Sequence, residues 1–326
     1  MGKILLAQPI LPEDWRDLSV GEPHVIRDIL FNELNINLCL PSLKSNDFIY
    51  PSPCGYDDLV RLLENKHGGK VVITNGAKQG LGAALYASSK MGAKKVWTPT
   101  PYWALLPPLF DLHGLGFEKA VPGTDAVCLA VSPNNPDGNI LNLSMYEIIC
   151  KRRNALMIHD AAYYTNIYMK KIDKKVYGDA QVYSISKMFG LSSLRLGYVV
   201  CKNEEMYNHI QFYMEHMTVG VSKLPQMFLF NIMNSINMNS FEKKCFQALE
   251  CNKEIVKQIN PSIMDVPTEN IPGMFLWGRV KDYDAFKRAK LHVIDGEPFG
   301  KKDFVRINLA FKQDVMFEIV DRLNNA

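Results

Sequence analysis

The sequence predicts an α/β fold: a mostly parallel sheet flanked by helices, with a smaller α+β domain beside it. Through the middle of the chain, short apolar runs alternate with helical patterns, which is typical of parallel strands joined by crossover helices. Polar loops directly follow several of these apolar runs. The chain has 326 residues, 47% of them hydrophobic, which is enough for one large core and a second, smaller one.

The elements of the large domain are predicted in a regular order. They are strand 70–74, helix 80–91, strand 95–98, helix 103–113, strand 125–131, helix 144–153, strand 155–159 and strand 181–184. A helical stretch follows from residue 204 to about 236, broken near Gly220 and Pro225, and leads into a connector rich in Asn and Met. We expect the large domain to span residues 46–240.

The small domain is expected to combine the two ends of the chain. Residues 241–326 predict a helix, strands at 273–280 and 304–310 and a closing helix, and residues 1–45 are expected to pack with them.

Charge and composition exclude several classes of binding partner. The formal net charge is +3 and no long basic run occurs, so we expect no nucleic-acid and no membrane partner, and a small substrate instead. No run approaches the roughly 18 apolar residues of a membrane span, and Met1 to Pro9 is too short for a signal-peptide core, so a cytoplasmic protein is expected. Seven cysteines without a Cys-x-x-Cys pair and seven scattered histidines predict reduced thiols and no metal site.

Four polar segments lie at the ends of predicted strands: 74–79, 132–138, Asp160 and 184–187. The carboxyl ends of parallel strands meet at one edge of a sheet, and ligands bind there. We therefore expect these segments to converge on one site.

The segment Ser184-Ile-Ser-Lys187-Met-Phe-Gly190-Leu-Ser-Ser-Leu-Arg195-Leu-Gly197 resembles the lysine signature of fold-type-I aminotransferases, which depend on pyridoxal 5'-phosphate (PLP). The arginine stands eight residues after the lysine, as in that family. A lone lysine would be an ordinary surface residue; the small residues before it and the arginine after it favour the functional interpretation.

Further motifs follow the family's order along nearly the whole chain. They resemble its substrate loop (18–23), its partner-subunit tyrosine (Tyr50-Pro51 with Gly55), its phosphate turn (76–79), its cofactor-ring contacts (134–138 and 160–163) and its carboxylate-binding arginine (304–308). Segments 132–138, 158–164 and 218–222 are similar to the alliinase and tryptophan aminotransferase-related branch. The chain lacks that branch's Gly-His after the lysine.

The resemblance implies that Lys187 holds PLP as a Schiff base and moves the α-proton of the substrate. A lysine amine does this only if its pKa falls, through burial or nearby positive charge. Asp160, at the end of an apolar strand, would pair with the protonated ring nitrogen and keep the ring an electron sink. The alternative for Asp160 alone is a helix N-cap.

The phosphate is expected at the start of the helix that Gly76, Ala77 and Lys78 open, with Arg195 as its cation and with hydroxyl donors from Ser184 and Ser186. A glycine turn alone is weak evidence, because any strand-to-helix turn can use one. Ser193 stands where the family usually has Gly or Asn, and a side chain there is expected to crowd the turn before Arg195.

Four ring or substrate contacts complete the predicted site. Asn135 and Tyr163 would bond the ring's phenolic oxygen, Tyr163 counting with Lys187 and Asp160 as catalytic, and Asn135 would also reach the substrate. Trp103, with Tyr102 next, is expected to stack on the ring, although plain core packing is equally compatible with both. Arg306 should bind the substrate α-carboxylate, with Gly21 allowing backbone approach, unless Arg306 forms a structural salt bridge.

These motifs together predict an aminotransferase that moves an amino group from an L-amino acid, an aromatic one being a candidate, to a 2-oxo acid by ping-pong chemistry. Two alternatives stay open: an alliinase-like carbon–sulfur lyase, and a catalytically silent PLP-binding protein. Because Tyr50 resembles a residue that reaches the neighbouring subunit's phosphate, the resemblance also implies a homodimer with shared active sites.

Overall fold

The structure is a computed structural model that describes residues 10–118, 123–173 and 175–326, so the predicted segment Met1 to Pro9 lies outside the described residues. The strands are β1 (Arg16–Asp17), β2 (Lys70–Thr74), β3 (Lys95–Trp97), β4 (Gly116–Glu118), β5 (Ala126–Val131), β6 (Leu156–Asp160), β7 (Ala180–Ser184), β8 (Gly197–Cys201), β9 (Phe275–Arg279), β10 (Leu291–His292), β11 (Ile294–Asp295) and β12 (Phe304–Asn308).

The helices are α1 (His24–Glu33), α2 (Asp57–His67), α3 (Gly76–Lys90), α4 (Leu106–Leu112), α5 (Leu143–Arg152), α6 (Ile185–Phe189), α7 (Glu204–Thr218), α8 (Lys223–Ser235), α9 (Met238–Val256), α10 (Tyr283–Arg288) and α11 (Gln313–Asn324). Short 3-10 helices span Ile36–Cys39, Ser45–Phe48, Ser192–Leu194 and Glu297–Phe299. No helix of the described ranges is long and apolar enough to cross a membrane.

The main sheet confirms the predicted α/β fold. In the described part of the chain its strand order is β2-β8-β7-β6-β5-β3-β4. Only β8 runs antiparallel to its neighbours; the other pairings, β3 with β4 and β5, β5 with β6 and β6 with β7, are parallel. A second sheet, β11-β12-β9, is antiparallel.

Two predicted helix boundaries need correction. The helical pattern from residue 80 starts too late: α3 begins at Gly76, directly after β2, where the expected phosphate turn at Gly76, Ala77 and Lys78 opens a helix, so its first turn lies at the sheet edge. Pro225 does not break a helix, because it lies in the first turn of α8, where a missing backbone N–H leaves no helical bond unmade. The break at Gly220 is present, with a left-handed φ of 97°.

Buried apolar side chains form a larger cluster around the main sheet and a smaller one around β9, β12 and α11. Helix α9 joins the two clusters, since Phe241 and Cys245 belong to the larger and Ile255 and Val256 to the smaller. Helix α1 contributes Val25, Ile26 and Leu30 to the larger cluster. The division into residues 46–240 and residues 1–45 with 241–326 stays a proposal.

The sheet brings the polar segments to one edge. Thr74 and Ser184, the last residues of β2 and β7, both pair with Gly197, the first residue of antiparallel β8. Val131 pairs with Asp160, the last residues of β5 and β6. Four strands therefore end side by side, and the loops that follow them face one region.

Candidate active site

Two adjoining cavities lie at this edge and share Glu22, Trp103, Asn135, Tyr163, Lys187 and Arg195. The inner cavity, about 270 Å³, lies over the strand ends. The outer cavity, about 840 Å³, opens towards β10, β11 and Arg306. The predicted residues that line the inner cavity are Gly76, Ala77, Lys78, Trp103, Asn135, Asp160, Tyr163, Ser184, Ser186, Lys187 and Arg195. The predicted substrate residues Gly21 and Arg306 line the outer one.

Lys187 lies at the junction of the cavities, in the short helix α6 that follows β7. Its Nζ donates a hydrogen bond to the carbonyl oxygen of Gly21. The pKa of its amine is lowered to about 8, chiefly by burial; Glu22 opposes this shift, and Arg306 and Arg195 add to it. A substantial fraction of the amine is therefore neutral, and nucleophilic, slightly above neutral pH.

Asp160 is a buried carboxylate at the end of β6. The backbone N–H of Ala162 donates to its Oδ1 at 3.0 Å, and no helix begins there, so the residue is not a helix N-cap. Burial raises its pKa to about 6, and it has no ion pair in the described part of the chain. A buried carboxylate without a cation fits a protonated ring nitrogen as its partner.

Gly76 and Arg195 form an anion-binding corner. Gly76 has a φ of 75°, and a Cβ built there would lie 2.8 Å from Nη2 of Arg195, so only glycine admits the guanidinium this close. Arg195 also donates from Nη1 to the carbonyl oxygen of Ser192 at 3.0 Å. The free N–H groups at the start of α3, the guanidinium and the buried Ser184 and Ser186 together suit a phosphate.

Ser193 does not line either cavity, and its side chain is exposed in the 3-10 helix before Arg195. The extra side chain therefore points away from the corner that the turn forms.

Arg306 is 4% exposed on β12. It donates from Nη1 to Oδ1 of Asn135 at 2.8 Å and from Nη2 to the carbonyl oxygen of Ser19, while its Nε is buried without a hydrogen-bond partner in the described residues. No carboxylate of the described ranges forms an ion pair with it, so the salt-bridge alternative is not what the structure contains. Burial lowers its pKa to about 10, and a substrate anion would restore the missing charge partner.

Three predicted contact residues differ in their placement. Trp103 lines both cavities and is half-buried, as a stacking residue requires. Tyr102 lines neither; it packs edge-on against Phe117, with ring centroids 5.2 Å apart, so for Tyr102 core packing is the interpretation that fits. Tyr50 is 85% exposed and lines neither of these two cavities.

Sequence reasoning missed several cavity residues. Glu22 lines both cavities and accepts a hydrogen bond from Ser192 Oγ at 2.9 Å, although it lies inside the substrate-loop motif. Its place beside Gly21 was the available signal. The outer cavity is also lined by Tyr283, His292 and Asp295, which lie in α10, β10 and β11, segments that carry no motif.

The fold is that of fold-type-I PLP-dependent transferases. The family model described as allinase matches residues 63–251, more than half of the chain. The chain belongs to the allinase family.

Curated relatives are similar over different lengths. Tryptophan aminotransferase-related protein 1 of Oryza sativa subsp. japonica is 32% identical over 52% of this chain and 39% of its own length. Aspartate aminotransferase of Thermotoga maritima is 24% identical over 96% of this chain and 91% of its own length. Alliin lyase of Allium cepa var. aggregatum is 32% identical over 33% of this chain and 22% of its own length. The chain thus spans well under half of the first of these relatives.

Solved structures share the fold. The aspartate aminotransferase from Thermus thermophilus with maleate superposes with a TM-score of 0.80 at 16% identity, over 96% of this chain and 91% of that one. The tyrosine aminotransferase from Leishmania infantum superposes with a TM-score of 0.78 at 15% identity, over 95% and 91%. At these identities the likeness shows the fold.

The cofactor of the family is PLP, and the residues present fit it. The buried carboxylate of Asp160 forms no ion pair in the described residues, and the corner at Gly76 and Arg195 suits a phosphate. The amine of Lys187, which lines the same cavity, has a lowered pKa.

Proposed function

We propose that this chain is a PLP-dependent aminotransferase that moves an amino group from an L-amino acid to a 2-oxo acid by ping-pong chemistry. The observation that carries the proposal is the position of Lys187. Its amine, with a pKa near 8, lies where the inner cavity with Asp160 meets the outer cavity with Arg306. A proton-moving amine is thus available between a cofactor site and a carboxylate site.

In this proposal the inner cavity binds the cofactor. Asp160 holds the proton of the ring nitrogen, and Arg195 with the first N–H groups of α3 holds the phosphate. Asn135 and Tyr163 contact the phenolic oxygen, and Trp103 covers the ring. When bound, PLP supplies an electron sink that stabilises negative charge on the substrate's α-carbon.

The outer cavity orients the substrate. Arg306 binds the α-carboxylate through its guanidinium and is itself oriented by Asn135 and by the carbonyl oxygen of Ser19. With the carboxylate fixed, the α-hydrogen would be directed towards Lys187, whose neutral amine Nζ would take and hold the proton. Tyr163, which is buried beside Arg306, narrows the space and excludes water.

A carbon–sulfur lyase is the second candidate, favoured by membership of the allinase family and by the similarity to alliin lyase. Lyase and aminotransferase chemistry use the same residues up to the loss of the α-hydrogen. The two differ in what leaves next, so residue placement supports both.

Product analysis separates the candidates. The purified protein loaded with PLP is incubated with a panel of L-amino acids and either pyruvate or 2-oxoglutarate, and in parallel with cysteine S-conjugates without an oxo acid. Amino transfer that needs the oxo acid supports the proposal. Pyruvate and ammonia released from S-conjugates alone, without amino transfer, would replace it with the lyase, and failure of both reactions would favour a silent PLP-binding protein.

We also propose that two copies of the chain form the functional unit. Tyr50 stands in an exposed apolar patch, here named the tyrosine patch, formed by Leu38, Leu40, Leu43, Phe48, Ile49 and Tyr50. So many exposed large apolar side chains within thirteen residues of chain are typical of a protein interface. A second copy covering the tyrosine patch would bring Tyr50 to the neighbouring phosphate corner, as the family resemblance implies.

A further inference from the structure

The outer cavity contains a wall that the proposed reaction does not use. Tyr283, His292 and Asp295 line it, together with Gly21 and Glu22. The strand that carries Asp295 is fixed relative to the carboxylate site, because Ile294 on β11 is the direct cross-strand partner of Arg306 on β12 and Asp295 is that of Val305.

Each positively charged residue of the outer cavity already has a role in the proposed function. Among the residues that line it, Lys187, Arg195 and Arg306 carry the positive charges. Under the proposed function Lys187 serves the cofactor, Arg195 the phosphate and Arg306 the α-carboxylate. No lysine or arginine of the lining is left for a second carboxylate on the substrate.

Two carboxylates, Glu22 and Asp295, also line the outer cavity, and Glu22 lies close enough to Lys187 to raise the pKa of that amine. Glu22 accepts one hydrogen bond, from Ser192 Oγ at 2.9 Å, and Asp295 accepts one, from the backbone N–H of Glu297 at 2.9 Å. Within residues 10–118, 123–173 and 175–326, neither forms an ion pair. Asp295 also lies close enough to Tyr283 to oppose ionisation of its phenol.

We propose that the outer cavity selects basic L-amino acids, such as lysine, ornithine and arginine, as amino donors and rejects dicarboxylic ones; this inference rests on the proposed function. With Arg306 holding the α-carboxylate, a cationic side chain gains attraction from Glu22 and Asp295, and Tyr283 adds an aromatic ring to the same cavity. The same two carboxylates repel a substrate whose side chain carries a negative charge. The volume of about 840 Å³ accommodates a long side chain.

Binding without turnover tests the selectivity. The PLP-loaded protein is titrated calorimetrically with the 2-methyl derivatives of lysine, norleucine and glutamate, which lack the α-hydrogen and therefore bind without reacting further. We expect the lysine derivative to bind about tenfold more tightly than the norleucine derivative and the glutamate derivative to bind most weakly, as a pair of partly shielded charges allows. The differences in affinity among the three derivatives should shrink as the salt concentration is raised from about 0.02 to roughly 0.5 M.

Variants locate the effect. Asp295→Asn and Glu22→Gln should each reduce the preference for the lysine derivative over norleucine several-fold. Glu297→Gln is the matched control. Glu297 lies two residues after Asp295 and does not line the cavity, so removing its charge should leave the preference unchanged.

The outcomes separate this inference from the proposed function. The expected binding order without any amino transfer would overturn the aminotransferase and leave the selectivity standing. Amino transfer with the glutamate derivative bound as tightly as the lysine derivative would overturn the selectivity alone. Equal effects of Asp295→Asn and Glu297→Gln would also contradict it, and no binding of any derivative would overturn both.

Discussion

The Nζ of Lys187 donates a hydrogen bond to the carbonyl oxygen of Gly21, 166 positions away along the chain. This contact ties the loop between β1 and α1 to α6 at the junction of the two cavities. A Cβ built on Gly21 would lie 3.2 Å from the ring of Phe275, a tight contact, and 3.5 Å from that Nζ, an ordinary one, so a side chain here would crowd the ring of Phe275. The same loop brings Glu22 and the carbonyl oxygen of Ser19 into the site.

The first prediction concerns how fast the cofactor-free protein captures PLP. Capture needs the neutral amine, and burial lowers the pKa of Lys187 to about 8. The rate constant should therefore rise with pH, pass its midpoint near pH 8 and level off at higher pH, as followed by stopped-flow absorbance. A midpoint near that of an ordinary lysine, about 10.4, would show that the amine is not perturbed.

The second prediction concerns the stability of the cofactor-free protein. Burial raises the pKa of Asp160 from 3.8 to about 6, so the folded state binds this proton more tightly than the unfolded state, and stability falls as pH rises through that window. Asp160→Asn keeps an acceptor for the N–H of Ala162 and removes the charge. At pH 7.5 the variant should be more stable by up to about 3 kcal/mol in urea unfolding, at 1.36 kcal/mol per pKa unit.

Asp14→Asn is the control for this experiment, because Asp14 is an exposed carboxylate paired with Lys290 and its pKa is lowered. It should not stabilise the protein. If Asp160→Asn unfolds at a lower urea concentration than the unmodified protein at pH 7.5, the carboxylate of Asp160 has a stabilising partner that this account omits.

The main sheet was predictable because each of its buried strands is a short apolar run followed by a polar loop. Strands β4 and β8 were not predicted. Strand β4 has only three residues, Gly116–Glu118, and Gly197–Cys201 is an apolar run whose first residue was assigned to the lysine motif. The apolar pattern alone places the start of α3 four residues late, since a helix that begins at a phosphate corner has polar and glycine residues in its first turn; the resemblance of 76–79 to a phosphate turn indicated the start at Gly76. The spacing of apolar residues indicates which positions are buried, but it does not indicate where a helix must begin to bind a ligand.

The third prediction concerns Arg306. Arg306→Lys should raise the KM of amino-acid and oxo-acid substrates alike, about tenfold or more, because an ammonium cannot replace the two parallel hydrogen bonds of the guanidinium. PLP should still bind. Arg279→Lys, the same change at an exposed position of the neighbouring strand β9, serves as the control. Unchanged KM values for both substrates would mean that the carboxylate is held elsewhere.

The fourth prediction concerns the tyrosine patch. Phe48→Asp should convert a dimer into a monomer in sedimentation velocity and weaken PLP retention, whereas Tyr50→Phe should keep the dimer and weaken retention alone. Phe317→Asp changes an exposed phenylalanine of α11 outside the patch and should leave the dimer intact. A fully active monomer would contradict the shared site.

Much of the candidate site was predictable from motifs, because Lys187, Asp160, Arg195 and Arg306 stand at strand ends or on strands that fix their direction. Glu22, Ser192 and Asp295 were not chosen, since a carboxylate or hydroxyl in a loop is usually solvated and only the folded chain shows which cavity it lines. Tyr102 shows the opposite error. It neighbours Trp103 in sequence, yet the backbone turns its ring to Phe117.

The most direct test of the account is to locate the bond between PLP and the protein. The PLP-loaded protein is treated with borohydride, digested and mapped by mass spectrometry, with Lys187→Ala treated in parallel and Lys78→Ala, which changes another lysine of the inner cavity, as the matched control. We predict reduced cofactor on the Lys187 peptide in the unmodified protein and in Lys78→Ala, and none on any peptide of Lys187→Ala, which should also lose amino transfer. Reduced cofactor on a different lysine, or normal turnover by Lys187→Ala, would contradict the account.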